Sequence, residues 1–145
     1  GLRYFNVFGP GQSSESSYSA VIPNWLKKAT SPEPRLIYGD GLQTRDFVYV
    51  KNVVYANLLA ALSENQKSYG KVFNVGSGKK TSLLSLLEDI NRITGQYKSP
   101  EFASPRQYDI KHSVADITQA KNIFGYEPII DMSSGLEETV SWFRN

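Results

Sequence analysis

LRYFNVF (2–8), FVYV (47–50) and VFNV (72–75) are strand-length runs that are apolar on both faces of the strand alternation. Such strands must be covered on both sides. A parallel sheet between helices does this, and a half-solvated antiparallel meander does not. The intervening segments supply the helices. Val21, Ile22, Trp25, Leu26 and Ala29 recur at helical spacing. The prolines of TSPEP (30–34) break that helix before a short strand, RLIYG (35–39). Asn52 is placed to cap a helix whose stripe is Val53, Val54, Leu58, Ala61 and Leu62. Ser82 opens another with Leu83, Leu86, Leu87, Ile90 and Ile93 on one face, ended by Gly95. Asp116 with Gln119, and Ser134 with Glu137, read as capping boxes for two last helices, the first of which stops at Gly125. Strands alternate with helices, so the fold class is α/β.

The chain has 145 residues, enough for one domain with a real core. A net charge of +2 and basic residues scattered no more densely than Lys27–Lys28 and Lys79–Lys80 give no footprint for nucleic acid or an acidic membrane. No apolar run is long enough to span a bilayer. The absence of cysteine removes disulfides, thiolate metal sites and a thiol nucleophile, and fits a reducing, cytoplasmic setting. One histidine, His112, argues against a histidine metal cage or a Ser-His-Asp triad. Gly1 is not an initiator methionine and Leu2 already opens a strand, so the expectation is a piece of a longer protein.

Two glycine-rich segments imitate phosphate loops. GSGKKT (76–81) has Phe73 where a P-loop needs glycine and Lys80 where it needs Ser or Thr. As a dinucleotide fingerprint it ends in Thr81 instead of a third glycine, and GDGLQT (39–44) fails in the same way. Both read as tight turns first. No tyrosine has a lysine four residues on; Tyr108 and Lys111 are three apart.

The remaining chemistry centres on Arg45, between the GDG turn and an apolar strand. Two readings of it stand level: a salt bridge within its loops, or a planar fork for a diphosphate. Arg106 and Asp109 lie in a second irregular stretch, ASPRQYDIKHSVAD (103–116). Two arginines from separate loops can clamp one pyrophosphate, and an aspartate can accept from ribose or sugar hydroxyls. For Asp109 alone, an ordinary surface carboxylate is the better reading. Asn6 interrupts an apolar strand and needs partners, either loop backbone or a ligand. Trp25, Tyr38 and Phe47 read as core before stacking platforms.

LRYFNVFGPGQ, YGDGLQTRDFVYVKNVVYA, FNVGSG and ADITQAKNIFGYEP…GLEETVSWF occur in an order and spacing that resembles the carboxyl-terminal half of the extended short-chain dehydrogenase/reductase family, the NAD-dependent nucleotide-sugar epimerases and dehydratases. SAVIPNWLKKA, VVYANLLAAL and DIKHSVADI are similar to its UDP-N-acetylglucosamine 4-epimerase branch. UDP-glucose and UDP-glucuronate 4-epimerases and UDP-xylose-forming decarboxylases share most of this frame.

The resemblance implies late strands of a Rossmann-like doubly wound sheet plus the small substrate domain. Residues 1–145 would be the nucleotide-sugar-binding portion, and NAD would be bound mainly by an amino-terminal half absent from this sequence. The catalytic Ser/Thr, Tyr and Lys belong to that half, so the resemblance implies no catalytic residue here and an inactive chain in isolation. It implies Asn6 on the diphosphate or sugar, Val21 along the uridine diphosphate through its backbone, and Ile37 and Tyr38 bordering the uracil. Arg45 and Arg106 match the diphosphate arginines, Asp109 the ribose-binding acid, and Phe5 lies beside the nicotinamide. The implied partners are a UDP-sugar and, for the full-length protein, a second copy in a homodimer, with no nucleic acid or membrane. The alternatives are another nucleotide-sugar dehydratase, decarboxylase or reductase, and a stand-alone non-catalytic UDP-sugar-binding module. Two departures stand out. RQYD has no Pro-Gly between Arg and Asp, and Asn52 replaces a frequent helix-capping Asp.

Overall fold

The computed structural model describes residues 1–13, 21–27 and 33–144. Most of the serine loop, the expected helix end at Ala29 and residues 30–32 of the proline break lie outside them. The elements in order are β1 (Leu2–Tyr4), β2 (Asn6–Phe8), α1 (Val21–Lys27), β3 (Arg35–Tyr38), β4 (Thr44–Arg45), β5 (Phe47–Tyr49), α2 (Val50–Leu62), β6 (Phe73–Val75), β7 (Thr81–Ser82), α3 (Leu83–Thr94), β8 (Pro100–Ala103), α4 (Thr118–Phe124) and α5 (Met132–Arg144), with a 3₁₀ turn at Gln66–Ser68 after α2. The α/β expectation holds.

The first extended run changes partner half-way. β1 pairs in parallel with β6, and β2 pairs in parallel with β5. The change falls at Phe5 and Asn6: Phe5 N donates to Val75 O at 2.9 Å, and Asn6 N donates to Asp46 O at 3.1 Å. β3 pairs in parallel with β8, and β4 antiparallel with β7. No apolar run announces β8 in the sequence; its backbone ladder to β3 holds it, and Phe102 stays exposed.

All three residues of β5 are buried, as a strand covered on both faces requires. Phe47 and Tyr49 face one core with Phe8, Trp25, Ile37, Leu86, Ile90 and Leu136. Val48 faces a second core with Phe73, Val75, Ala120, Phe124 and Tyr126. The Tyr49 hydroxyl donates to Glu138 Oε2 at 2.7 Å, and Lys51 Nζ donates to the same oxygen at 2.5 Å, which ties β5 and α2 to α5. Burial, then the Glu138 contact, pushes the Tyr49 phenol up to about 12.

Several end signals are corrected. α2 begins at Val50, so Asn52 lies inside its first turn and is 1% exposed. Its amide takes the loop before α5 instead, accepting from Ile129 N and Ile130 N and donating to Ile130 O. The expected α2 stripe is split. Asn52, Val53 and Ala56 are buried while Val54, Leu58 and Leu62 are exposed, because a helix apolar nearly all round does not choose its own buried face. Asp116 accepts from Thr118 N at 3.0 Å, with no box to Gln119. At α5 the capping carboxylate is Asp131, which accepts from Ser134 N at 2.8 Å; Ser134 is already helical. Ser82 caps α3 through Ser85 N, and Gly95 and Gly125 end α3 and α4 in the left-handed conformation, as expected.

Candidate functional site

The partner change between β1 and β2 opens a crevice beyond the carboxyl end of β1, the place where open parallel sheets receive ligands. Asn6 stands there. Its Nδ2 donates to Asp46 O at 3.0 Å, the carbonyl that also receives Asn6 N. Its Oδ1 makes no hydrogen bond among the described residues, and Asn6 lines a cavity. The loop-backbone reading of Asn6 is thus met by its Nδ2, and its Oδ1 is left without a partner among the described residues.

Arg45 and Asp46 alternate to opposite sides. Arg45 is held from behind, where Nη1 donates to Thr44 O at 2.9 Å. Its Nη2 pairs with Asp109, so the salt bridge runs across 64 residues and not to the neighbouring Asp46. Backbone bonds clamp the Asp109 loop to β4: Thr44 N donates to Lys111 O at 2.8 Å, and Ser113 N to Thr44 O at 3.1 Å. His112 Nδ1 meets Thr44 Oγ1 at 3.0 Å.

The loop keeps its turn without Pro-Gly. Asp109 N donates to Arg106 O at 3.2 Å, and Tyr108 takes the left-handed position at φ 65°. That conformation costs a non-glycine residue about 1–2 kcal/mol. The β3–β8 ladder brings Ala103 beside Tyr38, and three residues on the Arg106 guanidinium lies 4.1 Å from the Tyr38 ring centre. Tyr38 is therefore a stacking platform, contrary to the core expectation. Trp25 and Phe47, 5% and 4% exposed, are core as expected, and each also shows an edge to the cavity.

The cavity has a volume of about 540 Å³. Asn6, Val21, Ile37, Tyr38, Arg45, Arg106 and Asp109 all line it. Phe5 does not; it is half-buried at the strand switch. A second hollow of about 680 Å³, walled by Phe102, Pro105 and Lys111, shares Tyr38, Gln43, Arg106 and Asp109 with the first. The left-handed turns at Gly39 and Gly41 bring Gln43 back under β3, where its Nε2 donates to Tyr38 O at 2.5 Å. Gln43 and Arg35 are lining residues that the sequence reading missed.

Asp46 was also missed. It is fully buried. Its carboxylate accepts from Ser77 N at 2.7 Å, Ser77 Oγ at 2.6 Å, Gly78 N at 2.9 Å and Ala115 N at 3.0 Å. A Cβ on Gly76 would stand 2.5 Å from Ala115 Cβ and 2.7 Å from Asp46 Oδ2, so only glycine fits there. The GSG turn thus spends its anion-binding N–H groups on the chain's own carboxylate, which explains physically why it is no phosphate loop. Tyr126 closes the cluster by donating to Gly76 O at 2.8 Å, and its phenol is pushed upward by burial and by the Asp46 charge. The signal available in the sequence was the alternation itself: Arg45 facing a loop obliges Asp46 to face the interior.

The model of the NAD dependent epimerase/dehydratase family matches residues 1–76, just over half of the chain. The chain belongs to this family. Among its curated members, a UDP-N-acetyl-alpha-D-glucosaminuronate decarboxylase of Bacillus cytotoxicus is 32% identical, with 99% of this chain and 45% of the relative aligned. A putative UDP-glucose 4-epimerase of Methanocaldococcus jannaschii is 35% identical at the same coverage. Among solved structures, the UDP-N-acetylglucosamine 4-epimerase of Methanobrevibacter ruminantium, in complex with UDP-N-acetylmuramic acid, is 42% identical with a TM-score of 0.89, covering 99% of this chain and 45% of that one. The Thermotoga maritima UDP-glucose 4-epimerase with UDP-glucose is 38% identical with a TM-score of 0.90 at the same coverage. The chain spans about half the length of the relatives it matches.

NAD is the cofactor of this epimerase family, and a Bacillus cereus UDP-glucuronic acid 4-epimerase in complex with UDP-glucuronic acid and NAD is 29% identical with a TM-score of 0.89. The described residues of this chain do not form a dinucleotide cradle. The glycine turn at Gly76–Gly78, which follows β6, is filled by Asp46.

Proposed function

We propose that this chain is the carboxyl-terminal, UDP-sugar-holding portion of an NAD-dependent UDP-hexose 4-epimerase, working as a homodimer on the UDP-GlcNAc/UDP-GalNAc pair. The observation that carries the reading is the meeting of Arg45, Arg106 and Asp109, drawn from separate loops, with Asn6, Ile37 and Tyr38 on one cavity of ligand size. Arg45 and Arg106 take the diphosphate. Arg45 exchanges Asp109 for phosphate oxygens, which frees the Asp109 carboxylate to accept from ribose hydroxyls. Ile37 and Tyr38 border the uracil, Val21 lies along the nucleotide through its backbone, and Asn6 Oδ1 faces the diphosphate–sugar junction. Phe5 flanks the nicotinamide. NAD, its cradle and the proton-transferring Ser/Thr, Tyr and Lys belong to the rest of the protein. The likeness to the Methanobrevibacter ruminantium enzyme supports the choice of sugar.

The test is product analysis by NMR after incubating the full-length protein with UDP-GlcNAc. Formation of UDP-GalNAc is expected, and the 145-residue chain with added NAD is expected to form none. The Bacillus cytotoxicus relative favours a second reading, decarboxylation of a UDP-uronic acid, which a parallel incubation with UDP-N-acetylglucosaminuronate detects as carbon dioxide release. UDP-sugar binding by a full-length protein that converts no sugar nucleotide would instead favour a non-catalytic binding module.

A further inference from the structure

Arg35 is 2% exposed and lines the same cavity, at the amino end of β3. Among the described residues its only side-chain hydrogen bond runs from Nη1 to Glu33 O at 3.5 Å, and its Nε is buried with no acceptor. Burial draws its pKa below the ordinary arginine value, with nearby Glu33 opposing the shift. A guanidinium has five N–H donors and no acceptor, so this one is unsatisfied in a place where every unpaired donor is costly. Asn24, Trp25, Pro34 and Leu36 line the cavity with it. Tyr38, under Arg106, lies three strand residues away, roughly 10 Å. The cavity therefore has two ends. One holds Arg45, Arg106 and Asp109 and suits charge and hydroxyls. The other holds the buried guanidinium of Arg35.

We infer that Arg35 is a specificity-determining residue that donates to the 4-carbonyl oxygen of the nucleobase and so selects uracil over cytosine. This rests on the proposed UDP-sugar site. Uracil presents a carbonyl acceptor at the ring position where cytosine presents an amino donor. A donor-only side chain satisfies the first and opposes the second. An anion fits this end less well than a base does, because the two other arginines of the cavity stand at the opposite end.

The experiment is calorimetric titration of the full-length protein with UDP, CDP and inorganic pyrophosphate, comparing wild type with Arg35→Met and Arg35→Lys. Wild type is expected to prefer UDP over CDP by about tenfold or more. In Arg35→Met that ratio is expected to collapse towards one, with pyrophosphate affinity unchanged. Methionine replaces an unsatisfied buried cation by an apolar group, an exchange that interiors tolerate. Should that variant fail to fold, Arg35→Lys decides, because losing the planar fork is expected to cut the ratio by at least about half. A ratio that stays at the wild-type value while only the melting temperature moves means a structural arginine and overturns the inference. Parallel weakening of pyrophosphate means that Arg35 faces phosphate, and overturns it too. Absence of UDP binding by the wild type defeats the function reading itself, whereas UDP binding with an unchanged ratio defeats only the role of Arg35.

Discussion

Arg45 gains its place from three sources: Thr44 O behind it, Asp109 in front, and an apolar strand that gives it no room to retreat. Arg45→Ala is expected to weaken UDP-sugar binding by roughly 10–100-fold, the worth of one charge-assisted hydrogen bond of about 1.5–3 kcal/mol. Titration calorimetry on the full-length protein measures it, and an unchanged Kd would remove Arg45 from the site. Tyr108 makes a separate prediction. It sits at φ 65° with its side chain in solvent, so Tyr108→Gly should stabilise the fold by about 1 kcal/mol through relief of strain, less the extra chain entropy that glycine loses on folding. Urea unfolding reads the difference; a destabilised variant would mean that the aromatic ring holds the loop.

Between elements, one carboxylate links three segments. Asp46 on the β4–β5 strand receives Ser77, Gly78 and Ala115, and so aligns the turn after β6 and the approach to α4 with the site. Asp46→Asn would turn an amide NH₂ towards backbone N–H donors. We expect a loss of about 2–3 kcal/mol in unfolding free energy, and a variant as stable as wild type would count against this hub. Three carboxylates carry the pH response. Backbone and then side-chain hydrogen bonds from Ser134 hold Asp131 below the usual carboxylate range, side-chain and then backbone hydrogen bonds from Thr118 do the same for Asp116, and the Lys51 and Tyr49 contacts do so for Glu138. A folded pKa lowered below the unfolded one contributes stability that is complete above the unfolded value and is lost as pH falls through the folded value. Urea midpoints should therefore be flat near neutrality and decline below about pH 4. Asp131→Asn should make that decline shallower, and an identical slope would exclude Asp131 as a contributor.

At the scale of the whole molecule, α2 leaves an apolar stripe exposed. Val54, Leu58 and Leu62 are 54%, 56% and 79% exposed, and Tyr4 beside them hydrogen-bonds Asn57. Contiguous apolar surface of this kind associates. The isolated 145-residue chain should sediment as more than a monomer, and Leu58→Lys with Leu62→Lys should shift it towards monomer; a wild-type chain that stays monomeric at high concentration would disprove it. No helix among the described residues is long and apolar enough to cross a membrane. The α/β class, the paired cores about β5 and the helix stops at Gly95 and Gly125 were readable because strand and helix periodicity and the left-handed preference of glycine are local properties. Arg45, Arg106 and Asp109 were readable from two irregular loops as a diphosphate clamp and a hydroxyl acceptor, with ordinary surface roles standing beside that reading until the family likeness was weighed. Tertiary structure decided the rest. It assigned Asp109 and not Asp46 to Arg45, and it turned Asn52 from a cap into a clamp. It also put the buried guanidinium of Arg35 on the cavity wall and chose which face of an all-apolar helix was covered. Each of these depends on segments tens of residues apart competing for the same donor, acceptor or apolar surface. That competition is settled only when the chain is packed.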